Sequence, residues 1–193
     1  MLYPLSHMPE HPWCRSLYNS IALCSFIPLH LEIMGTTPYK LLFVCLGNIC
    51  RSPSAEGIMN HLLREQNLEG QIQCDSAGTS GYHVGSAPDR RMTAAAKRQG
   101  ITLAGQSRRF EPEDFERFDL ILAMDKDNYR DILRLDRNDE YGDRVKLMCS
   151  FCHDYSDDEV PDPYYGGEEG FNYVIDLLKD ACQGLLDHVQ TVK

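Results

Sequence analysis

The sequence predicts an α/β fold, a single three-layer domain in which a four-stranded parallel sheet is flanked by helices. From Tyr39 onwards, short apolar runs alternate with longer amphipathic segments, which is the pattern of βαβ units. The chain has 193 residues and 42% of them are hydrophobic, enough for one compact domain with a sizeable core. No internal repeat or low-complexity tract interrupts the alternation.

Four strands are expected, because four short apolar runs are bounded by polar or turn-forming residues. The predicted strands cover residues 40–44, 72–76, 119–124 and 144–148.

Helices are expected where apolar residues recur at helical spacing. The first occupies the crossover after the first strand, and the second begins at Pro88 and ends at Gly100, which suits a C-terminal cap. The last has a long apolar stripe that should dock on the sheet, and the acidic stretch from Ser156 to Glu169 before it predicts a surface loop. The third and the last helix are expected at 126–135 and 168–190.

Residues 1–35 contain prolines and scattered aromatic residues without periodicity, so we expect an extension outside the fold. It is interpreted as disordered, or as the result of a start assigned upstream of Met34. Pro28 and His30 interrupt its apolar run and no small-residue cleavage site follows, which disfavours a signal peptide. The domain itself is expected at 36–193.

Composition limits the classes of partner. The formal net charge of -10 disfavours a nucleic-acid surface, which needs clustered Lys and Arg. No run approaches the roughly 18 apolar residues of a membrane helix, so neither nucleic acid nor membrane is expected as a partner. The eight cysteines are expected to be reduced thiols, because a chain of this size needs no disulfide scaffold.

The stretch VCLGNICRSPSAEG, residues 44–57, joins the first strand to the first helix through a short loop. Ser52 is the expected N-cap of that helix, with Pro53 in its first turn. Backbone N–H groups of such a loop converge on its centre, and the positive end of the helix dipole reinforces them. Gly47 lets the loop curl tightly. A phosphate-binding loop is therefore predicted after the first strand.

Cys45 ends the first strand beneath this loop, where the same field favours a thiolate. Arg51 closes the loop with a planar, permanently charged fork that can bind two phosphate oxygens. A nucleophile and an anion clamp are thus adjacent. Taken alone, Cys45 would be better interpreted as a small buried hydrophobic residue at a strand end.

Four motifs in order, CLGNICRSPSAEG, CDSAGTSGYHVG, AMD and DPYYGG, resemble the low-molecular-weight protein tyrosine phosphatases over residues 39 to 190. The resemblance implies hydrolysis of protein phosphotyrosine and small aryl phosphates through a phosphocysteine intermediate, without cofactor or metal. It also implies phosphotyrosine-containing proteins as partners, tyrosine kinases among the candidates. With no targeting signal evident, a cytoplasmic enzyme is expected.

The resemblance assigns a role to each matching residue. Cys45 would attack phosphorus, Arg51 and the loop amides would stabilise the transition state, and Asp162 would protonate the leaving phenolate and then activate water. Ser52 would donate a hydrogen bond to the thiolate. The substrate would meet the loop at Leu46, Gly47, Asn48, Ile49, Cys50 and Ser52.

Aromatic side chains would wall the cleft and favour phosphotyrosine over the shorter phosphoserine. The resemblance places Tyr164 and Tyr165, and more weakly Tyr82, in these walls. The tyrosine pair is also a candidate phosphorylation site.

Supporting roles fall to three polar residues: Asn48 should prop the loop with Ser76 as its partner, and Asp125 should brace the loop from the third strand. Gly105 stands where relatives often have histidine. The network beneath the loop is therefore expected to be looser, or rebuilt around Ser107 or Arg108.

Alternatives remain open at this stage. Cys50 is either a partner of Cys45 in a reversible protective disulfide, as the resemblance implies, or a plain apolar loop residue.

Cys149 and Cys152 raise the alternative of a thiol-coupled arsenate reductase of the same fold, although their late position disfavours it. A zinc site at these cysteines with His153 would lack a second ligand pair. A non-catalytic phosphate-binding module is disfavoured, because Cys45, Arg51 and Asp162 are all present.

Overall fold

The computed structural model describes residues 37–164 and 166–192. Residues 36–193 form one compact unit. The expectation about residues 1–35 falls outside the described part of the chain. In order, the elements are β1 (Tyr39–Cys45), α1 (Arg51–Glu65), β2 (Ile72–Gly78), α2 (Arg90–Arg98), α3 (Asp114–Arg117), β3 (Leu120–Ala123), α4 (Lys126–Leu133), β4 (Val145–Leu147) and α5 (Glu168–Val192), with short 3₁₀ helices at Gly142–Arg144 and Met148–Phe151.

The four strands pair in the order β2-β1-β3-β4, and every pairing is parallel. Cys45 lies opposite Gly78 and Val44 opposite Ala123, so the carboxyl ends of the strands meet at one edge. This arrangement confirms the predicted fold class. It also explains where a site can form, since ligands of open α/β sheets bind outside the carboxyl ends of the strands.

The sheet separates two apolar clusters, which makes the fold three-layered. Because strand side chains alternate between faces, Leu41 and Phe43 of β1 pack on the α1, α2 and α5 side, whereas Leu42 and Val44 face α3 and α4. These four side chains are fully buried. Within the described residues, no helix is both long and apolar enough to cross a membrane.

The N-termini of α1 and α2 differ from the sequence prediction, whereas α4 and α5 begin at the predicted residues 126 and 168. The predicted N-cap Ser52 is wrong, because α1 already begins at Arg51 and the Ser52 hydroxyl contacts Cys45 and Ala77 instead of capping. Helix α2 begins two residues after Pro88, at Arg90, and the side chain of Asp89 caps it by accepting hydrogen bonds from the backbone of the first turn.

The C-terminal end of α2 agrees with the sequence prediction. Helix α2 ends at Arg98, and Gly100 follows with a φ of +79°, a conformation that glycine adopts without strain. The four-residue α3 was not predicted, because one helical turn leaves no periodic pattern to detect. Residues 126–133 form α4, two residues shorter than expected.

The segment between the second 3₁₀ helix and α5 contains no described helix or strand, as the acidic stretch predicted. The carboxylate of Asp180 fixes its start by accepting hydrogen bonds from the backbone N–H groups of His153, Asp154 and Tyr155. Further along the segment, Val160 donates its N–H to the carbonyl of Met124, directly after β3. The residues that follow are thereby held at the carboxyl edge of the sheet.

Candidate active site

A cavity of about 220 Å³ opens at the carboxyl edge of the sheet, where β1 meets α1. Its floor is the loop that joins these two elements, and its far wall comes from the segment before α5. The lining residues are Cys45, Leu46, Gly47, Ile49, Cys50, Arg51, His83, Asp162 and Tyr164.

Cys45 lies at the bottom of this cavity and is only 3% exposed. Its sulfur accepts the backbone N–H of Asn48 at 3.2 Å and lies 3.1 Å from the hydroxyl of Ser52. Because Asn48 Nδ2 already donates to Ser52 Oγ, the hydroxyl proton is left for the Cys45 sulfur or for the carbonyl of Ala77. Donors converging on one sulfur stabilise negative charge there.

Asn48 shapes the loop from below. Its backbone adopts a left-handed conformation with φ of 52°, which asparagine tolerates better than most residues. Its side-chain amide donates to Ser76 Oγ at 2.9 Å, the expected partner, and its side-chain oxygen accepts the N–H of Arg108. Asn48 and Ser52 are buried beneath the loop and do not line the cavity, so their side chains support the loop, and their assignment to substrate binding stays a prediction.

The support expected from a histidine at position 105 comes from elsewhere. Gly105 has a φ of +89°, and an added Cβ there would meet no atom within 4 Å. The hydroxyl of Ser107 donates instead to the carbonyl of Gly47 at 3.0 Å, and Arg108 holds Asn48. The network beneath the loop is therefore built around both Ser107 and Arg108.

Arg51 is 3% exposed and lies across the cavity from Cys45. Its NH1 donates to Asp125 at 2.5 Å and to the carbonyl of Val160 at 3.1 Å. Burial opposes the charge, but Cys45, Asp125 and Asp162 outweigh it and raise the pKa of the guanidinium. Asp125 thus orients the arginine, and it also caps α4 by accepting the N–H of Asn128.

Asp162 projects into the same cavity from the opposite wall. One carboxylate oxygen lies 3.5 Å from Arg51 NH2, and the other accepts the N–H of Tyr164 at 3.1 Å. Pro161 and Pro163 on either side restrict the backbone. The carboxyl is 44% exposed, so it can exchange protons with solvent and face a bound substrate.

The aromatic wall is only partly as predicted. Tyr164 lines the cavity, whereas Tyr82 is 90% exposed and does not. His83 occupies this side instead and packs so closely on the loop that a Cβ added to Gly47 would lie 2.9 Å from its ring. The sequence did not single out His83, because the neighbouring Tyr82 is an aromatic residue that suits the same role. Tyr165 lies outside the described residues.

The other cysteines that the structure describes are also free thiols, but they lie in different surroundings. Cys50 lines the cavity, and burial followed by the charge of Asp89 raises its pKa to about 12. Cys149 belongs to the 3₁₀ turn that packs on α5, and Cys152 follows directly after this turn. Neither cysteine lines the cavity, and burial raises their pKa to about 12 and about 11. Among residues 37–164 and 166–192, no three His, Cys, Asp or Glu side chains are grouped to hold a metal ion.

Comparisons with known proteins agree with this geometry. Residues 40–193 match the family model of the low molecular weight phosphotyrosine protein phosphatases. A putative low molecular weight protein-tyrosine-phosphatase of Synechocystis is 60% identical over 147 residues, covering 76% of this chain and 94% of that one. The human low molecular weight phosphotyrosine protein phosphatase is 39% identical over 151 residues, covering 77% and 94%.

A solved structure extends the agreement to three dimensions. The crystal structure of a protein tyrosine phosphatase from Entamoeba histolytica, with Hepes in the active site, superposes with a TM-score of 0.77 at 46% identity and covers 79% of this chain and 97% of that one. Sequence and fold therefore lead to one conclusion: the chain belongs to the low molecular weight phosphotyrosine protein phosphatase family.

Proposed function

We propose that this protein hydrolyses phosphotyrosine in proteins, and small aryl phosphates, through a phosphocysteine intermediate. The observation that carries the proposal is the placement of Cys45, Arg51 and Asp162 around one cavity at the end of β1. A thiolate nucleophile, a cation and a proton donor are the three groups this reaction needs. Family membership supports the same reaction.

In the first step the Cys45 thiolate attacks phosphorus, a P–S bond forms and the bond from phosphorus to the aryl oxygen breaks. Asp162, in its protonated form, gives its proton to the departing oxygen, and Arg51 stabilises the charge on the remaining phosphate oxygens. In the second step water attacks phosphorus, Asp162 accepts a proton from it, and the thiolate departs. The donors at the Cys45 sulfur stabilise the thiolate at both stages.

The depth of the cavity supports phosphotyrosine as the substrate. Cys45 is nearly inaccessible at the floor, and the side chains of Leu46, His83 and Tyr164 stand around it. A flat, long phenyl phosphate can bring phosphorus to that depth, whereas phosphoserine has a shorter arm. Tyr164 offers an aromatic face to the substrate ring.

The two rival functions are less well supported. A thiol-coupled arsenate reductase would need Cys149 or Cys152 near the loop, but they lie on a turn packed against α5 and have raised pKa values. A non-catalytic phosphate-binding module would not need the carboxyl of Asp162 facing the cavity. The proposed partners are phosphotyrosine-containing proteins, tyrosine kinases among them, with no nucleic acid and no membrane, and the proposed location is the cytoplasm.

The test is hydrolysis of an aryl phosphate by the wild type, Cys45→Ser and Asp162→Ala, with Cys152→Ser as the matched control. Cys45→Ser should be inactive, Asp162→Ala should lose about 10²- to 10⁴-fold in kcat, and the control should be unaffected. Rapid denaturation during turnover should trap a phosphoenzyme from the wild type and none from Cys45→Ser. Activity in Cys45→Ser, or arsenate reduction that depends on Cys149 or Cys152, would overturn the proposal.

A further inference from the structure

The mechanism above leaves unexplained why Arg91, an exposed residue in the first turn of α2, has so many partners. Its side chain is 50% exposed, yet it binds one carboxylate and one carbonyl and lies against two aromatic rings. Exposed arginines are usually mobile and contribute little. An exposed arginine that makes all of these contacts next to the active-site cavity is therefore expected to have a role.

One set of contacts ties Arg91 to the phosphate-binding loop through Asp89. The backbone N–H of Asp89 donates to the carbonyl of Ile49 at 2.8 Å, within the loop itself. The Asp89 carboxylate accepts Arg91 Nε at 3.1 Å and NH2 at 2.8 Å, a two-pronged geometry that only a guanidinium provides. Hydrogen bonds from Arg91 lower the pKa of Asp89, so the pair stays charged.

The other set of contacts ties Arg91 to the segment that carries the proposed acid. Arg91 NH1 donates to the carbonyl of Tyr164 at 3.0 Å. The guanidinium carbon lies 5.0 Å from the centre of the Tyr164 ring and 4.8 Å from that of Phe171, both within the range of a cation–π contact. Backbone and ring of Tyr164 are therefore both held by one side chain.

Tyr164 in turn holds the acid. Its N–H donates to Asp162 Oδ1 at 3.1 Å, while its carbonyl is bound by Arg91. A displacement of Tyr164 would move the donor that orients the Asp162 carboxyl. The contacts form a continuous path from Ile49 through Asp89, Arg91 and Tyr164 to Asp162.

We propose that Arg91 is a positioning residue that fixes the distance between the phosphate-binding loop and the Asp162 carboxyl, so that the acid meets the leaving oxygen of a substrate bound in the loop. This inference rests on the proposed phosphatase function. Arg91 itself contacts no reacting atom. Its loss should therefore impair proton transfer and leave phosphate binding intact.

The test compares kcat/KM for phenyl phosphate, whose leaving group needs a proton, with that for p-nitrophenyl phosphate, whose leaving group needs it less. Arg91→Ala should lower kcat/KM for phenyl phosphate by roughly 10- to 100-fold more than for p-nitrophenyl phosphate, the scale of a misplaced catalytic group. The inhibition constant of inorganic phosphate should not change. Arg91→Lys should resemble Arg91→Ala, because an ammonium cannot bind Asp89 and the Tyr164 carbonyl in the same geometry.

The matched control is Arg98→Ala, also on α2, whose side chain binds Glu168 and Asn172 of α5 rather than Tyr164. It should keep the wild-type ratio of the two substrates. If Arg91→Ala does not fold, Asp89→Asn tests the same path, since asparagine still caps α2 but binds Arg91 more weakly. If the wild type hydrolyses both substrates and the Arg91 and Asp89 variants keep the wild-type ratio of the two kcat/KM values, this inference is wrong and the proposed function stands. Absence of hydrolysis by the wild type would overturn the proposed function and the inference with it.

Discussion

Glu56, on α1, reaches the nucleophile through a chain of hydrogen bonds. Ser76 Oγ donates to Glu56 Oε2 at 2.6 Å and accepts from Asn48 Nδ2, which also donates to Ser52 Oγ beside Cys45. A partly buried carboxylate therefore terminates the network under the loop. Burial, more than any neighbour, raises the pKa of Glu56 above its ordinary value near 4.5.

A raised carboxyl pKa has a defined consequence for stability. In the interval between the ordinary and the raised pKa, the native state binds the proton of Glu56 more readily than the unfolded chain does. The free energy of unfolding therefore decreases as pH rises through that interval, because the buried carboxyl must ionise in the native state. Above the raised pKa this destabilisation by the Glu56 charge is complete.

Glu56→Gln should remove that cost while keeping an oxygen that accepts the Ser76 hydroxyl. We expect the free energy of unfolding of the variant, relative to wild type, to increase with pH above about 4.5 and to level off above the raised pKa. Urea denaturation at a series of pH values measures it. Glu69→Gln, on an exposed residue, is the control, and a difference that stays flat across the pH range would contradict the prediction.

At the level of elements, α5 packs unusually close to the 3₁₀ turn after β4. A Cβ added to Gly184 would overlap the carbonyl oxygen of Phe151 and would lie 2.9 Å from His153 Nε2. Backbone cannot yield as a flexible side chain can. The absence of a side chain at position 184 thus sets the distance between α5 and the 3₁₀ turn Met148–Phe151, which precedes the segment that carries Asp162.

Two glycines of α5 give opposite expectations for the same substitution. Gly184→Ala should lower the free energy of unfolding by about 1–3 kcal/mol, because the turn and the helix must separate. Gly170→Ala meets no atom within 4 Å and should raise it by roughly 0.5–1 kcal/mol through helix propensity. Urea denaturation of both variants checks this. Equal effects of the two substitutions would contradict the close packing.

Across the whole molecule, elements marked by an apolar run or a periodic apolar stripe were predictable, even the three-residue β4, whereas the single turn of α3 was not. The strands and α5 follow from apolar runs, whereas α3 has four residues and no pattern. In the site, the placement of Cys45 and Arg51 in one cavity followed from the order strand, loop, helix. The positions of His83 and Arg91 did not, since both depend on how segments distant in sequence pack against one another, which no local pattern encodes.

The catalytic machinery proposed here lies entirely within the compact unit of residues 36–193. Among the residues that the structure describes, those lining the cavity fall between 45 and 164, and the family match begins at residue 40. The Synechocystis and human relatives are each covered to 94% by about three quarters of this chain. Residues 36–193 should therefore contain what folding and catalysis require.

A shortened protein of residues 36–193 should fold cooperatively and hydrolyse p-nitrophenyl phosphate with the kcat/KM of the full chain, within about twofold, because β1 begins at Tyr39 and its buried side chains are all retained. Urea denaturation should give the same midpoint for both proteins. Removal of five more residues, to leave 41–193, should instead destabilise the domain, since it takes away Tyr39 and Lys40 and their pairing with β2. If the shortened protein of 36–193 lost activity or stability, residues 1–35 would have to contribute to the enzyme, and the assignment of this segment to an extension outside the fold would be wrong.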